Sequence, residues 1–328
     1  MNWLTDSGVW TTFLNTNLWS TTLIEATPLT LAAIGGVISE RSGVVNIGME
    51  GMMLTGAFFA VVVSILSNNA GLGVLAGVLT GGVMALVHAF ASIRLKADQI
   101  ISGMAINLLA LGLTSYLYFS VYGSAGTTPC SSTCAPGDVR GVLNWPIPVL
   151  DRSPALGQIL FQQNPIVYAM LLLVLLTHFF LFRTTLGLRI RAVGEHPRAV
   201  DTAGINVQHL RYLAVTLSGL LSGLGGAFLS LGWAGNFSEN MTSGRGFIAL
   251  AAMIFGKWTP FGAFGACLLF GFGSALYDTL QNNTGPVQDY STLIATLPYV
   301  LTIVALAGFI GRSTPPASDG IPYDPAAG

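Results

Sequence analysis

Few side chains in this sequence are suited to chemistry, and their spacing argues against a conventional active site. The four histidines, His88, His178, His196 and His209, are scattered, and no carboxylates stand with them at the spacing of a metal site or an acid–base pair. The dipeptide Gly256 Lys257 is followed by Trp258 and lacks the upstream glycine of a phosphate loop, so no nucleotide cradle is present. What remains is Glu50, a carboxyl group inside an apolar run, where insertion into a bilayer costs about 2.5–3.5 kcal/mol. Asn46 lies four residues earlier, which on a continuous helix is the same face. With Asn107, these two could offer hydrogen bonds to a polar solute. Two readings stand: contact with a polar solute, or interhelical bonding that holds a bundle together.

The other polar feature is a concentration of charge. Of thirteen Lys and Arg residues, five (Arg183, Arg189, Arg191, Arg198 and Arg211) fall within 183–211. Inside that segment Pro197 suits the first position of a helix and Gly204 the position just past its end. About two turns fit between them, with Ala199, Val200 and Ala203 apolar and Arg198 and Asp201 polar. So short a helix is marginal alone in water and needs a surface to dock on.

The elements that must position these residues are membrane spans. With 52% hydrophobic and 8% charged residues, a soluble fold would have almost no polar surface, whereas a lipid-facing one needs none. Apolar runs near 20–38, 44–66, 72–92, 100–122, 165–182, 212–233, 262–280 and 292–310 each approach the roughly 20 residues that cross a bilayer. The expected fold is therefore all-α: a polytopic bundle of about eight to ten transmembrane helices in one domain over 1–328. A shorter apolar stretch, 247–255, reads as a short or broken helix.

Basic residues near span ends stay on the cytoplasmic side. Placing 183–211 inside also puts Arg41, Arg94 and Lys96 inside. Counting 247–255 as a crossing adds Lys257 and Arg312, leaving Arg140, Arg152 and Arg245 outside. That arrangement has nine crossings, with the N-terminus out and the C-terminus in. If 247–255 is re-entrant instead, the last two assignments flip. The segment 1–19, with Trp3, Trp10 and Trp19, is either interfacial or a loose tail. It lacks the basic start and cleavage site of a signal peptide. The proline-rich connection 123–163 faces outward, where Cys130 and Cys134 either form a small disulfide loop or remain free thiols. The tail 312–328 is expected to be disordered. Cys267 falls in an apolar span and packs there.

Forty glycines are well above average usage. Gly73, Gly77 and Gly81 recur every four residues, as do Gly219 and Gly223, and such stripes let helix backbones approach closely. They either pack within the chain or allow bundles to slide. Aromatic residues such as Phe58, Phe59, Tyr116 and Tyr118 either line a central path or simply pack, and periodicity does not separate these.

Three stretches carry a resemblance: Glu40 Arg41 Ser42 Gly43 Val44 Val45 Asn46 Ile47 Gly48 Met49 Glu50 Gly51 Met52 Met53, the segment Gly187 to Gly204, and Gly246 through Trp258. Together they resemble the permease subunits of bacterial ABC importers, in the branch for nucleosides and simple sugars, which is related to ribose and branched-chain amino acid permeases. The resemblance covers most of Glu25 to Gly311. It implies a multi-pass protein of the bacterial cytoplasmic membrane that moves a nucleoside or simple sugar inward by alternating access. It also implies three partners: a cytoplasmic ATPase that holds the ATP and Mg, a second permease subunit that is a paralogue, and an extracytoplasmic substrate-binding lipoprotein. No cofactor, metal or nucleic acid is implied for this chain, which is not itself an enzyme.

In that family the equivalent of Gly187 to Gly204 is the coupling helix that seats in the ATPase. The residues expected to make it here are Gly194, Glu195, His196, Pro197, Arg198, Asp201 and Gly204. The usual Glu-Asn-Pro becomes Glu195 His196 Pro197, which removes any contact that needs the amide. The alternative, a self-sufficient secondary transporter or channel, calls for ionisable residues within spans or repeated halves. Glu50 and Asp278 come nearest to the first requirement, and no repeat is visible.

Overall fold

The computed structural model describes residues 16–123, 139–145, 157–282, 296 and 313–324. Among the described residues, ten α-helices run in order: α1 Thr16–Glu40, α2 Met49–Ser67, α3 Ala70–Ala89, α4 Gln99–Tyr122, α5 Pro165–Arg183, α6 Thr185–Glu195, α7 Pro197–Thr202, α8 Val207–Ala227, α9 Arg245–Phe255 and α10 Pro260–Asn282. Single π-helical stretches extend α3 through Phe90–Arg94 and α8 through Phe228–Ala234. Seven of these helices, α1 to α5, α8 and α10, are long and apolar enough to cross a membrane. They match seven of the eight expected runs. The eighth, 292–310, lies outside the described residues, as do Cys130, Cys134, Trp3 and Trp10.

Local chemistry explains where the helices begin. Asn69, Asp98, Asn164, Thr184 and Asn206 each accept backbone N–H groups of the first turn that follows, satisfying donors that have no intrahelical partner. Stops are as clear: Asn68 and Gly123 end α2 and α4 in the left-handed region.

The bundle has an inner and an outer ring. The spans of α1, α2 and α8 are 89%, 72% and 67% buried, whereas those of α3, α4 and α5 are 33%, 28% and 33% buried. The outer helices therefore carry the exposed leucines, such as Leu75, Leu79, Leu108 and Leu172, and face lipid or another apolar partner. The glycine stripes close the inner ring. A Cβ on Gly81 would collide with the Gly219 carbonyl, and one on Gly56 would come within 2.7 Å of the Gly223 carbonyl. The stripes pack helices of one chain against each other, with α3 and α2 both seated on α8.

Most of the described basic residues gather on one face. Gly194 packs on the Arg41 carbonyl, Arg41 Nε donates to the Trp258 carbonyl at 3.0 Å, and Lys96 pairs with Asp324 at 2.7 Å. Arg140 is held at the opposite end of α2, where it caps Asn68 and exchanges hydrogen bonds with Ser64. The short helix α9 ends on the basic face with Lys257, as a crossing would. It is only 11 residues long, about 16 Å, so its start lies inside the bundle. Arg245, expected outside, is half-buried at that start, 3.5 Å from the buried Glu25 of α1. The positive-inside count placed Arg245 outside; the structure pairs its guanidinium with Glu25 of α1.

The tail is a second correction. Over 313–324 it is docked on the basic face instead of disordered, with Pro316 buried and Ser318 N donating to the Gly194 carbonyl at 2.8 Å.

Candidate functional site

The basic face is built around α6 and α7. Thr184 caps α6 through the Gly187 N–H at 3.1 Å, and Gly187 must be glycine because a Cβ would strike the Phe180 carbonyl. At the other end of α6, Gly194 lies flat on the loop after α1. His196 is an irregular residue between α6 and α7, and Pro197 opens α7 where its missing N–H costs nothing. Gly204 follows the helix with φ +79°, and its N–H bonds to the Asp201 carbonyl at 2.9 Å. The start and stop expected from Pro197 and Gly204 are thus the observed ones.

Only Val200 of α7 is buried, while Arg198, Ala199, Asp201 and Thr202 are exposed. The tail completes the surface. A groove of about 450 Å³ runs between Glu195, His196, Pro197, Arg198 and the tail residues Ile321 and Tyr323. The Tyr323 hydroxyl donates to Asp201 Oδ2 at 2.8 Å. Arg41 stands behind Gly194, 6.0 Å from the Phe182 ring. Burial lowers its guanidinium pKa, and neighbouring Glu195 offsets part of that.

The three polar residues Asn46, Glu50 and Asn107 are arranged otherwise than a continuous helix predicts. Asn46 precedes α2, in an irregular stretch that follows Gly43 at φ +83°, so it does not share a helical face with Glu50. Its Nδ2 donates to Ser218 Oγ of α8 at 2.9 Å, and its Oδ1 is buried without a partner. Asn107 of α4 clamps the start of α2: Nδ2 donates to the Ile47 carbonyl at 3.0 Å and Oδ1 accepts the Gly51 N–H at 2.8 Å. Glu50 lies in the first turn of α2. Its two oxygens accept the N–H groups of Gly244 and Gly246 at 2.8 and 2.6 Å. It therefore caps α9 from across the bundle, where the helix dipole and the free donors favour an acceptor.

A backbone stretch without helical bonds survives here because its polar groups are paired by protein. The Val45 N–H donates to Gln99 Oε1 at 2.7 Å, and His88 Nε2 lies 3.0 Å from the Val45 carbonyl. The aromatic residues also sort. Phe58 and Tyr118 are buried and meet Phe237 at centroid distances of 5.1 and 6.0 Å, whereas Tyr116 is exposed.

Comparison with known proteins bears on these features. Residues 18–306 match the family model described as branched-chain amino acid transport system / permease component. The chain belongs to this permease family. Its similarity to curated members extends over nearly the whole length. The guanosine ABC transporter permease protein NupQ of Bacillus subtilis (strain 168) is 44% identical over 317 residues, covering 92% of this chain and 94% of that protein. The nucleoside ABC transporter permease protein NupC of Lactococcus lactis subsp. cremoris (strain MG1363) is 40% identical over 308 residues, with 92% and 94% covered. The guanosine ABC transporter permease protein NupP, from the same Bacillus strain as NupQ, is 27% identical over 260 residues, 76% of this chain and 71% of that protein. The protein is thus a multi-pass membrane permease component and not a self-sufficient carrier.

Several residues of the permease's polar interior escape sequence reasoning. Glu25 and Arg245 pair inside the bundle, with Asp278 near enough for its charge to act on Glu25, and Arg245 lies 5.2 Å from the Trp233 ring. Glu25 sits in an apolar run just as Glu50 does, so that signal was available. Trp258 Nε1 donates to Glu40 Oε2 at 2.6 Å. Arg211 is 1% exposed, and its Nε and Nη1 donate to the carbonyls of Ser42 and Ile321. Nothing in the local sequence separates this buried arginine from its exposed neighbours.

Proposed function

We propose that this chain is the transmembrane subunit of an ABC importer that brings nucleosides across the bacterial cytoplasmic membrane. The observation that carries the substrate class is identity of 40–44% over nearly the full length with permeases named for guanosine and nucleosides. The basic face is cytoplasmic by the distribution of Lys and Arg. In this reading Gly194, Glu195, His196, Pro197, Arg198, Asp201 and Gly204 form the surface that receives a separate ATPase, which would hold the ATP and its Mg. Support comes from α7 itself, which leaves four of its six side chains exposed on that face. A paralogous second permease fits the occurrence of two guanosine permease proteins in one Bacillus strain. A substrate-binding lipoprotein on the far side completes the system, and the whole chain, 1–328, serves as one transmembrane domain.

Glu50, Asn46 and Asn107 act on the path indirectly in this proposal, by fixing the walls that α2, α8 and α9 present. The test is uptake in cells expressing the chain with its candidate partner subunits, using labelled guanosine, another nucleoside, glucose and leucine. Nucleoside uptake that depends on both ATP and this chain is expected. Uptake of glucose or leucine alone would reject the substrate class.

A further inference from the structure

Residues 313–324 are bound to the rest of the chain at points spread along their length. At the near end Ser313 Oγ donates to the Ile254 carbonyl at 3.1 Å, in the last turn of α9. Midway, the Ser318 N–H and Oγ donate to the carbonyls of Gly194 and Glu195 at 2.8 and 3.2 Å, and the Ile321 carbonyl accepts Arg211 Nη1 at 3.0 Å. At the far end are the Tyr323 to Asp201 hydrogen bond and the Lys96 to Asp324 ion pair. One short irregular segment, with a turn at 317–320, thus joins the end of α9, the end of α6, α7, and the buried arginine of α8. Through that arginine it also reaches the Ser42 carbonyl in the loop before α2.

By contrast α7 has six residues, one buried side chain and no side-chain N-cap. A helix that short does not hold its own position. Val200 alone seats α7 on the bundle core, and the segment 313–324 adds a second tie, to α7 at Asp201 and to α9 at Ile254.

We propose that the strap 313–324 is a positioning element that fixes α7 against the bundle and passes its displacement to α9 and to the loop before α2, with Tyr323 as its contact on α7 and Ser318 as its contact on α6. This rests on the reading of α7 as the ATPase-receiving helix. The strap neither binds substrate nor replaces α7 as the dock.

The test uses the assembled complex in liposomes with the full chain, comparing Tyr323→Phe and Ser318→Pro with the unaltered protein. The first removes a hydroxyl and keeps the ring, and the second removes the N–H donated to Gly194. Three quantities are read: ATPase bound per permease, ATP hydrolysed, and guanosine imported per ATP. The expected result is unchanged ATPase content with import per ATP reduced about five-fold in each variant, the order set by loss of one hydrogen bond. Wild-type import per ATP in both variants overturns the proposal. So does a fall in bound ATPase with import per ATP unchanged, because the strap would then be a dock. If Ser318→Pro lowers the yield of folded protein, Tyr323→Phe decides alone. If the unaltered chain binds no ATPase, the reading of α7 fails first and the strap proposal falls with it.

Discussion

Glu50 accepts the backbone N–H of Gly246 at 2.6 Å across 196 residues of sequence, so a side chain on α2 terminates a helix that begins inside the bundle. A Cβ on Gly246 would come within 2.5 Å of the Glu50 backbone N, which ties the two positions sterically as well.

Glu50→Gln keeps one acceptor oxygen and turns an amide NH₂ toward a backbone N–H. We expect a loss of about 1–3 kcal/mol, with Glu50→Ala and Gly246→Ala at least as damaging. Thermal unfolding in detergent measures it. Stability equal to wild type in Glu50→Gln would show that the cap is not needed.

Asn107→Leu removes both partners of a backbone donor and acceptor at the start of α2, the Gly51 N–H and the Ile47 carbonyl. A lower melting temperature with unchanged KM for import is the expected pattern, because the role is to hold α2. A raised KM at wild-type stability would instead place Asn107 in contact with the substrate.

Two glycine substitutions separate close packing from mere helix propensity. Gly81→Ala drives a methyl group into the Gly219 carbonyl, whereas Gly112 has nothing within 4 Å of a built Cβ. Folded yield should fall sharply for Gly81→Ala. Gly112→Ala should be neutral or gain up to about 1 kcal/mol. Equal yields would mean that α3 and α8 can separate without penalty.

The Asp319 carboxyl is pushed up to about 7 from its ordinary 3.8, chiefly by burial, while hydrogen bonding to Glu40 of α1 and the charge of Arg211 of α8 pull it back. The docked strap therefore keeps a proton that a solvated strap loses. Docking is most favoured at acid pH and weakens as pH rises through 7, where Asp319 and the Glu40 carboxyl it faces titrate as a pair. Hydrogen exchange at the Ser318 amide, corrected for intrinsic rate, should show more protection near pH 5 than near pH 8. Asp319→Asn should flatten that dependence.

Much of the fold is legible in the sequence because lipid imposes length and apolarity on every span. The starts of α3, α4, α5 and α8 follow capping residues visible as letters, and α7 lies between Pro197 and Gly204 as their backbone preferences require. The polar interior is less legible. A period of 3.6 placed Asn46 and Glu50 on one face, but helix α2 begins only at Met49. The bonds that make the preceding stretch tolerable come from Gln99 and His88, distant in sequence.

By itself the sequence determined that the chain crosses the membrane repeatedly, which face is basic, and where α7 starts and stops. These depend on composition and on the conformational limits of single residues. Only the tertiary structure decided that Glu50 caps α9, that Arg245 is paired inside the bundle and that 313–324 is a docked strap. Each of these is a pairing between groups far apart in the chain. A buried donor or acceptor must find some partner, but its own sequence neighbourhood does not say which.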